Sequence, residues 1–346
     1  MSSIFGAQNI DICVFIMKKN ILIFCILLYF VSCSKDDSTP KIEPPDPEVN
    51  IPEPGTSVNP NFPLSDQNND GGWVLNTQMS DEFEGEVLDQ NKWLIQGTNG
   101  EFQSNFKGRA PSQFSTKNVR LENGMLKLKT RWEPNYDFNP KNDRDGNKYE
   151  NITTAAIITK NEFKYGYIEV KSKAADAEIT SSLWATGNLT ELDFFEMFGD
   201  HKQPSKQYKE KELWWSIHDW SSAGQGRTTY TEYLDLGYRV ADDFHVYGFE
   251  WDETGIKVYV DGNLISSASI AQINAYDDVT NNKGGNGSVA NYVVTKPIKI
   301  WLDQETFPWH GVPDSLEDLE ANSPLGENTD GVVDFEVEYL RVWQKE

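Results

Sequence analysis

Alternation of apolar and polar residues is the dominant pattern of this chain after residue 73, and it predicts β-strands. Asn123-Gly124 in "VRLENGMLKLK" and Asp261-Gly262 in "IKVYVDGNLI" stand between alternating arms. Such dipeptides supply the positive φ angles that tight hairpins need. The same alternation recurs in "FKYGYIEVKSK", "FHVYGFEWD" and "VDFEVEYLRVW". Together these segments predict an all-β protein built as a two-sheet antiparallel sandwich.

Helical periodicity is brief and is confined to "PDSLEDLEA" near residues 313–321. Three segments, 133–152, about 200–212 and 281–291, read instead as long loops. Long loops on a rigid sandwich commonly carry binding specificity.

The first 33 residues are typical of an export signal. Two lysines follow Met17, and an apolar run of eleven residues extends over 21–31. A run of this length is too short to cross a bilayer, which takes ~20 residues. We therefore interpret residues 1–33 as the signal segment and take Met17 as the true start of the protein. Its end resembles a bacterial lipoprotein signal, which implies a lipid anchor at Cys33 and an exported cell-surface or outer-membrane lipoprotein; an ordinary cleaved signal with a secreted product is the alternative.

Residues 34–72 have a different composition from the rest of the chain. They carry eight of the sixteen prolines and few large apolar side chains. A segment of this kind buries too little apolar surface to fold, so we expect a disordered, proline-rich tether. The remaining residues, 73–346, suit one large β domain.

Charge and cysteine content exclude several classes of protein. Lys+Arg number 31 and Asp+Glu number 54, which gives a net charge of −23, so nucleic acid is not an expected partner. The three cysteines, Cys13, Cys25 and Cys33, all precede the β domain. The domain therefore has neither a disulfide framework nor a cysteine metal site. We expect a monomer.

Residues 191–197 read "ELDFFEM" and place three carboxylates in an apolar run. Burying charged groups is costly, so a cleft is their expected location. Strand alternation puts Glu191 and Asp193 on one face and Glu196 on the other. One additional residue, a β-bulge, would return Glu196 to the face of the other two. The spacing therefore predicts a bulged strand with three acids on one face.

This spacing suits catalysis by a pair of carboxyl groups, as in glycosidases. With the bulge, the backbones of Glu191 and Glu196 lie ~13 Å apart, and side chains that lean together bring the carboxyls within the ~5 to 5.5 Å of a retaining glycosidase. An inverting enzyme needs a wider separation. A solvated acidic edge and a metal-binding strand are the alternatives, which the apolar neighbours disfavour.

The segment "ELDFFEM" resembles the E-x-D-x-x-E signature of glycoside hydrolase family 16. Supporting matches extend the resemblance over about residues 80 to 344: "NVRLENGMLKLK", "FKYGYIEVKSKA", "SSLWATGN", "FHVYGFEWDETGIKVYVDG" and "VDFEVEYLRVW". The resemblance implies a jelly-roll sandwich with a concave substrate cleft, formed by residues 73–346. It also implies double displacement, with Glu191 as nucleophile, Asp193 as its electrostatic assistant and Glu196 as acid/base.

Two segments, "GRAPSQF" at 108–114 and "ETFPWHGVP" at 305–313, resemble the agar- and porphyran-degrading branch of this family. A sugar-binding groove needs aromatic surfaces and hydrogen-bonding groups. Six residues are therefore predicted to bind substrate: Trp184, Arg109, His218, Trp215, Trp309 and His310. Arg109 would present its forked donors to a sulfate ester or to sugar hydroxyls. The alternatives are that Trp184 and His218 are ordinary core residues and that Arg109 forms a surface salt bridge. For Trp309 and His310 the alternative is that they pack a loop.

Family members commonly carry a structural calcium ion. The resemblance places its oxygen ligands at Glu82, the Gly124 carbonyl and Asp334. Catalysis itself is expected to need no cofactor.

The leading hypothesis is an endo-acting, retaining hydrolase of β-1,4-galactosidic linkages in red-algal galactans, porphyran or agar. A laminarinase-type β-1,3-glucanase is the nearest alternative, and a transglycosylase would share the covalent intermediate. A non-catalytic surface glycan-binding protein is the alternative of another class, which the three acids disfavour. The charge of −23 weakens sulfated porphyran relative to neutral agar, although screening leaves the local charges of the groove to decide.

Overall fold

The computed structural model describes residues 58–276, 290–320 and 331–345. The predicted signal segment, the anchor cysteine and residues 34–57 of the predicted tether lie outside the described residues, as does most of the predicted loop at 281–291. Within the three described ranges, no helix has the length and apolar character needed to cross a bilayer.

Strands make up most of the regular secondary structure of the described residues and are numbered here in chain order. The strands are β1 Trp73–Leu75, β2 Trp93–Ile95, β3 Ser112–Phe114, β4 Val119–Glu122, β5 Met125–Trp132, β6 Ile152–Thr154, β7 Ala156–Thr159, β8 Gly166–Lys173, β9 Ser181–Gly187, β10 Thr190–Met197, β11 Glu212–Asp219, β12 Arg227–Asp235, β13 His245–Asp252, β14 Gly255–Val260, β15 Asn263–Ser269, β16 Lys299–Asp303 and β17 Val332–Lys345. The helices are short: α1 Ile270–Ala275, α2 Leu316–Leu319, and 3₁₀ turns at Thr98–Gly100, Gln103–Asn105, Thr116–Asn118 and Pro204–Lys211.

These strands form two sheets, which confirms the predicted two-sheet architecture. Ten strands form one sheet in the order β15-β14-β13-β8-β17-β5-β6-β3, with β1 beside β17 and β4 beside β5. Seven strands form the other in the order β12-β11-β10-β9-β16-β7-β2. The pairing is antiparallel except between β3 and β6, which run parallel. The predicted hairpins are also present, because Asn123-Gly124 joins β4 to β5 and Asp261-Gly262 joins β14 to β15, with positive φ at all four residues.

The core lies between the two sheets and is rich in aromatic rings. Phe195 of β10 contacts Tyr247 and Phe249 of β13 and Phe335 of β17, at centroid distances of 5.3, 6.3 and 6.4 Å. Its neighbour Phe194 contacts Phe249 at 5.4 Å. One face of β10 is thus buried in the core. The face of the seven-stranded sheet that points away from the core is called here the site face, and polar side chains can lie on it.

The tether prediction is wrong for residues 58–72, which form hydrogen-bonded turns packed on the ten-stranded sheet. The Leu64 amide donates to Glu169 at 2.7 Å, the Ser65 hydroxyl donates to Tyr167 at 2.9 Å, and the Trp343 indole donates to the Asn61 carbonyl at 2.7 Å. These turns are ordered despite their composition because they pair with buried polar groups of the sheet. The folded region therefore begins before residue 73.

Two of the predicted loops, 200–212 and 133–152, are fully described. The first is partly helical, and the second is held in place by hydrogen bonds. The segment at 200–212 contains the 3₁₀ turn Pro204–Lys211. The segment at 133–152 is held against the chain near Arg109, since the Tyr149 hydroxyl donates to the Gly108 carbonyl at 3.1 Å and the Glu150 amide donates to the Pro111 carbonyl at 2.9 Å. The predicted helix near 313–321 is present as the single turn α2.

Candidate active site

The predicted β-bulge is present in β10 and brings the three acids to the site face. Asp193 pairs with Trp184 of β9, whereas Phe195 pairs with the adjacent Leu183, so Phe194 is the additional residue. Phe194 and Phe195 are both fully buried. The bulge lets two consecutive rings enter the core and returns Glu196 to the face of Glu191 and Asp193.

His218 of β11 faces these acids from the neighbouring strand. It pairs in register with Glu191, and its Nε2 atom lies 3.0 Å from Asp193 Oδ2. Burial disfavours its charged form, but the hydrogen bond to Asp193 and the charges of the neighbouring carboxylates outweigh burial and raise the pKa of His218 to about 9. His218 is therefore an imidazolium at neutral pH.

The two glutamates hold their protons far more tightly than free carboxyls do. Burial, reinforced by the negative charge of Asp193, raises the pKa of Glu191 to about 8 and raises the pKa of Glu196 well above its ordinary value. The charge of His218 lowers both pKa values. This arrangement can keep one glutamate protonated beside another that is ready to ionise, which is the requirement of a general acid and a nucleophile.

Glu191, Asp193 and His218 are also close enough to be considered as metal ligands, because their candidate ligand atoms lie within 4.8 Å of one another. A ligating imidazole must be neutral. Here Asp193 and the two glutamates favour the protonated imidazole. In this structure the group is an ion pair of His218 and Asp193 with Glu191 beside it.

The predicted calcium site formed by Glu82, Gly124 and Asp334 is wrong. Glu82 accepts two hydrogen bonds from Arg341, at 2.8 and 2.7 Å. Its neighbour Asp81 pairs with Leu340 of β17. Leu340 is six residues from Asp334 along the same strand, so the two positions are ~20 Å apart at ~3.3 Å per residue. Calcium ligands lie about 2.5 Å from the ion, so these carboxylates cannot share one.

Asp334 is paired with two local cations. Lys127 and Lys129 of the adjacent strand β5 reach it at 3.3 and 3.2 Å. Gly124 lies in the turn between β4 and β5.

Trp184 is half-buried on the site face, directly opposite Asp193. Its ring stacks on Trp301 of β16 at 4.5 Å and 23°. The structure therefore places this predicted residue beside the acids.

Arg109 and Trp309 meet at one end of the site face. The Arg109 Nε atom lies 3.1 Å from Glu305, and its guanidinium stands over the rings of Phe307 and Trp309 at 4.6 and 4.8 Å. Trp309 is 59% exposed, and the Arg109 side chain is 42% exposed. The charges of Glu196 and Glu191 raise the pKa of Arg109, which locates its guanidinium near these two acids.

Two residues predicted to bind substrate are buried elsewhere, so these predictions are wrong. Trp215 is 1% exposed in the core and donates to Glu232 at 2.8 Å, because alternation along β11 directs it away from His218. Trp214 takes its place on the site face, opposite Glu196. His310 is 2% exposed and stacks on Phe198 at 3.6 Å and 12°, so it packs the loop instead of lining the groove.

Sequence reasoning missed two buried acids near the site, Asp303 and Glu305. They are 1% and 5% exposed, and burial raises the pKa of both. The signal was present in "IWLDQE" at 300–305, where two acids two residues apart follow an apolar strand. Asp303 pairs with Ser182 of β9, and Glu305 holds Arg109. Both acids extend the negative charge of the site.

A two-sheet β-sandwich that presents two glutamates, an aspartate and an imidazolium on one face has the features of a glycoside hydrolase. The family model described as the GH16 domain of beta-porphyranases A–D matches residues 73–345. The chain therefore belongs to this branch of glycoside hydrolase family 16. Beta-porphyranase B of Phocaeicola plebeius is 26% identical to it over 278 residues, which are 72% of this chain and 79% of that protein.

Solved structures have the same fold. Porphyranase B from Zobellia galactanivorans is 24% identical with a TM-score of 0.59, over 79% of this chain and 92% of that one. The laminarinase catalytic domain from Thermotoga maritima is 24% identical with a TM-score of 0.54, over 79% of this chain and 99% of that one. At this identity the likeness establishes the jelly-roll fold alone. The predicted family and fold are thus confirmed.

Proposed function

We propose that the chain is an endo-acting, retaining hydrolase of β-1,4-galactosidic linkages in porphyran or agar. The observation that carries the proposal is the bulged strand β10, which sets Glu191, Asp193 and Glu196 on one face with His218 against Asp193. A chain that only binds glycans has no need of this constellation.

In the proposed reaction, Glu196 gives its proton to the glycosidic oxygen while the ionised Glu191 attacks the anomeric carbon. The bond to the leaving sugar breaks as the covalent glycosyl-enzyme bond forms. Glu196, now a carboxylate, then takes a proton from water, which displaces Glu191 and leaves the anomeric configuration retained. Asp193 and His218 adjust the charge around both glutamates.

Arg109 favours a sulfated galactan such as porphyran. Its guanidinium is partly exposed, is oriented by Glu305 and stands beside two aromatic rings. A fixed, planar cation of this kind suits a sulfate ester better than a neutral hydroxyl. The similarity to beta-porphyranase B of Phocaeicola plebeius agrees with this choice. The net charge of −23 opposes it only at long range, where salt screens it.

The substrate is tested by measuring oligosaccharide release from porphyran, desulfated porphyran, agarose, κ-carrageenan and laminarin by residues 58–346. Glu191→Gln and Glu196→Gln serve as inactive controls. We expect porphyran to be preferred and Arg109→Gln to lose most of the preference over desulfated porphyran. Equal cleavage of agarose and porphyran contradicts the sulfate assignment. Cleavage of laminarin alone contradicts the galactanase and favours a β-1,3-glucanase.

We also expect His218→Asn to move the acid limb of the pH–rate profile to higher pH by about one unit, with roughly ten-fold lower activity on the acid side. The reason is that the imidazolium lowers the pKa of Glu191, which must ionise to attack. Steady-state rates between pH 4 and 9 measure this shift. His245→Asn, at a histidine paired with Asp261 on the other sheet, is the matched control and should leave the limb in place. An unshifted limb in His218→Asn contradicts the proposed role.

For the cellular location, we propose export and lipid attachment at Cys33. The support is the layout of lysines, apolar run and cysteine in residues 17–33. Labelling with a fatty acid, compared between the wild type and Cys33→Ser, tests the anchor.

A further inference from the structure

Trp220 stands beside Glu191, at the end of β11, and was not among the residues predicted to bind substrate. Its backbone amide donates to the Leu189 carbonyl at 2.9 Å, which fixes the residue next to the start of β10. Trp220 follows His218, the partner of Glu191 in register, by two residues, and strand alternation puts its side chain on the face of Glu191. The Trp220 side chain acts on Glu191 as a hydrogen-bond donor and lowers the pKa of its carboxyl. The side chain is 41% exposed, so part of the ring is available to solvent.

The turn after β11 is built to hold this ring. The Ser221 amide donates to the Asp219 carboxylate at 2.9 Å, and the Gly226 amide donates to the Asp219 carbonyl at 2.7 Å. Gly226 lies against the ring so closely that an added Cβ would be 2.4 Å from it, and its φ of +78° also favours glycine. The Gly226 carbonyl lies 3.4 Å from His218 Nδ1, so one turn contacts both side chains that face Glu191.

We propose that Trp220 is the positioning residue of Glu191, and that its exposed ring face forms an apolar wall for the sugar that Glu191 attacks. This inference rests on the proposed function, in which Glu191 is the nucleophile. A charge-assisted N–H donor holds a carboxylate in one orientation and favours its ionised form. An exposed aromatic face matches the apolar face of a pyranose.

The two roles are separated by Trp220→Phe, which keeps an aromatic ring and removes the donor, and Trp220→Ala, which removes both. We expect Trp220→Phe to lower kcat roughly ten-fold, to move the acid limb to higher pH and to leave KM nearly unchanged. Trp220→Ala is expected to raise KM several-fold in addition. Trp132→Phe, at a half-buried indole of the other sheet, is the matched control and should leave the pH profile unchanged.

A second readout does not depend on turnover. In protein carrying ¹³C-labelled glutamate carboxyls, the Glu191 resonance is identified as the one that Glu191→Gln removes, and its titration is compared between the wild type and Trp220→Phe. A higher pKa for Glu191 in Trp220→Phe supports the inference. An unchanged titration together with an unchanged acid limb overturns it. Failure of the wild type on every polymer would defeat the proposed function instead, while the titration would still test the contact.

Discussion

Replacing Glu191 by Gln is expected to lower kcat on the preferred galactan by roughly 10⁴-fold or more, on the scale of losing a covalent nucleophile. The amide matches the carboxylate in shape but does not form the glycosyl-enzyme bond. Glu191 lies on the site face of β10, half-buried and in register with His218. Initial rates of oligosaccharide release measure the loss.

A second variant at this position identifies the role of Glu191. In Glu191→Ala, azide can enter the space of the missing carboxylate and attack the anomeric carbon, while Glu196 protonates the leaving oxygen. The expected product is a glycosyl azide of inverted configuration, detected by NMR. Glu338→Gln, on strand β17 of the other sheet, is the control and should keep wild-type rates. A Glu191→Gln variant within ten-fold of the wild type contradicts the nucleophile assignment.

Replacing Glu196 by Gln is expected to lower polysaccharide turnover by about 10²- to 10⁴-fold, the range for general acid–base catalysis. The loss should be much smaller in the first step of an activated aryl glycoside, because a good leaving group departs without a proton. Burst kinetics measure that step. An equal loss on activated and natural substrates contradicts the acid role.

The Glu196→Gln variant is also expected to be more stable against unfolding than the wild type. Burial, and then Asp193, raise the folded-state pKa of Glu196 well above its ordinary value of 4.5. The stability that depends on its proton is therefore complete below about pH 4.5 and is lost as the pH rises through the folded-state pKa. The neutral amide avoids this loss. Thermal midpoints measured from pH 4 to 9 should thus favour Glu196→Gln increasingly toward high pH, and a constant difference contradicts the explanation.

Much of the fold followed from local sequence patterns. Alternation predicted the sheets, and the two hairpins followed from Asn123-Gly124 and Asp261-Gly262, because a tight turn with positive φ depends on only two residues. The bulge in β10 was predictable for a similar reason. Acids at 191, 193 and 196 can share a face only if one residue is inserted, and that argument needs no knowledge of the neighbouring strands.

The amino-acid sequence by itself therefore determined the class of fold, the bulged strand and the three carboxylates on its face, since short-range geometry governs all three. Only the tertiary structure decided that the face of β11 with Trp214 and His218, and not the face with Trp215, meets the acids, because the face of a strand is set by its register with both neighbours. The contact between Arg109 and Glu305, which are 196 residues apart, was also visible only in the tertiary structure. The same holds for the packing of residues 58–72 on the ten-stranded sheet. Such contacts depend on which segments fold against each other, and no local pattern encodes that choice.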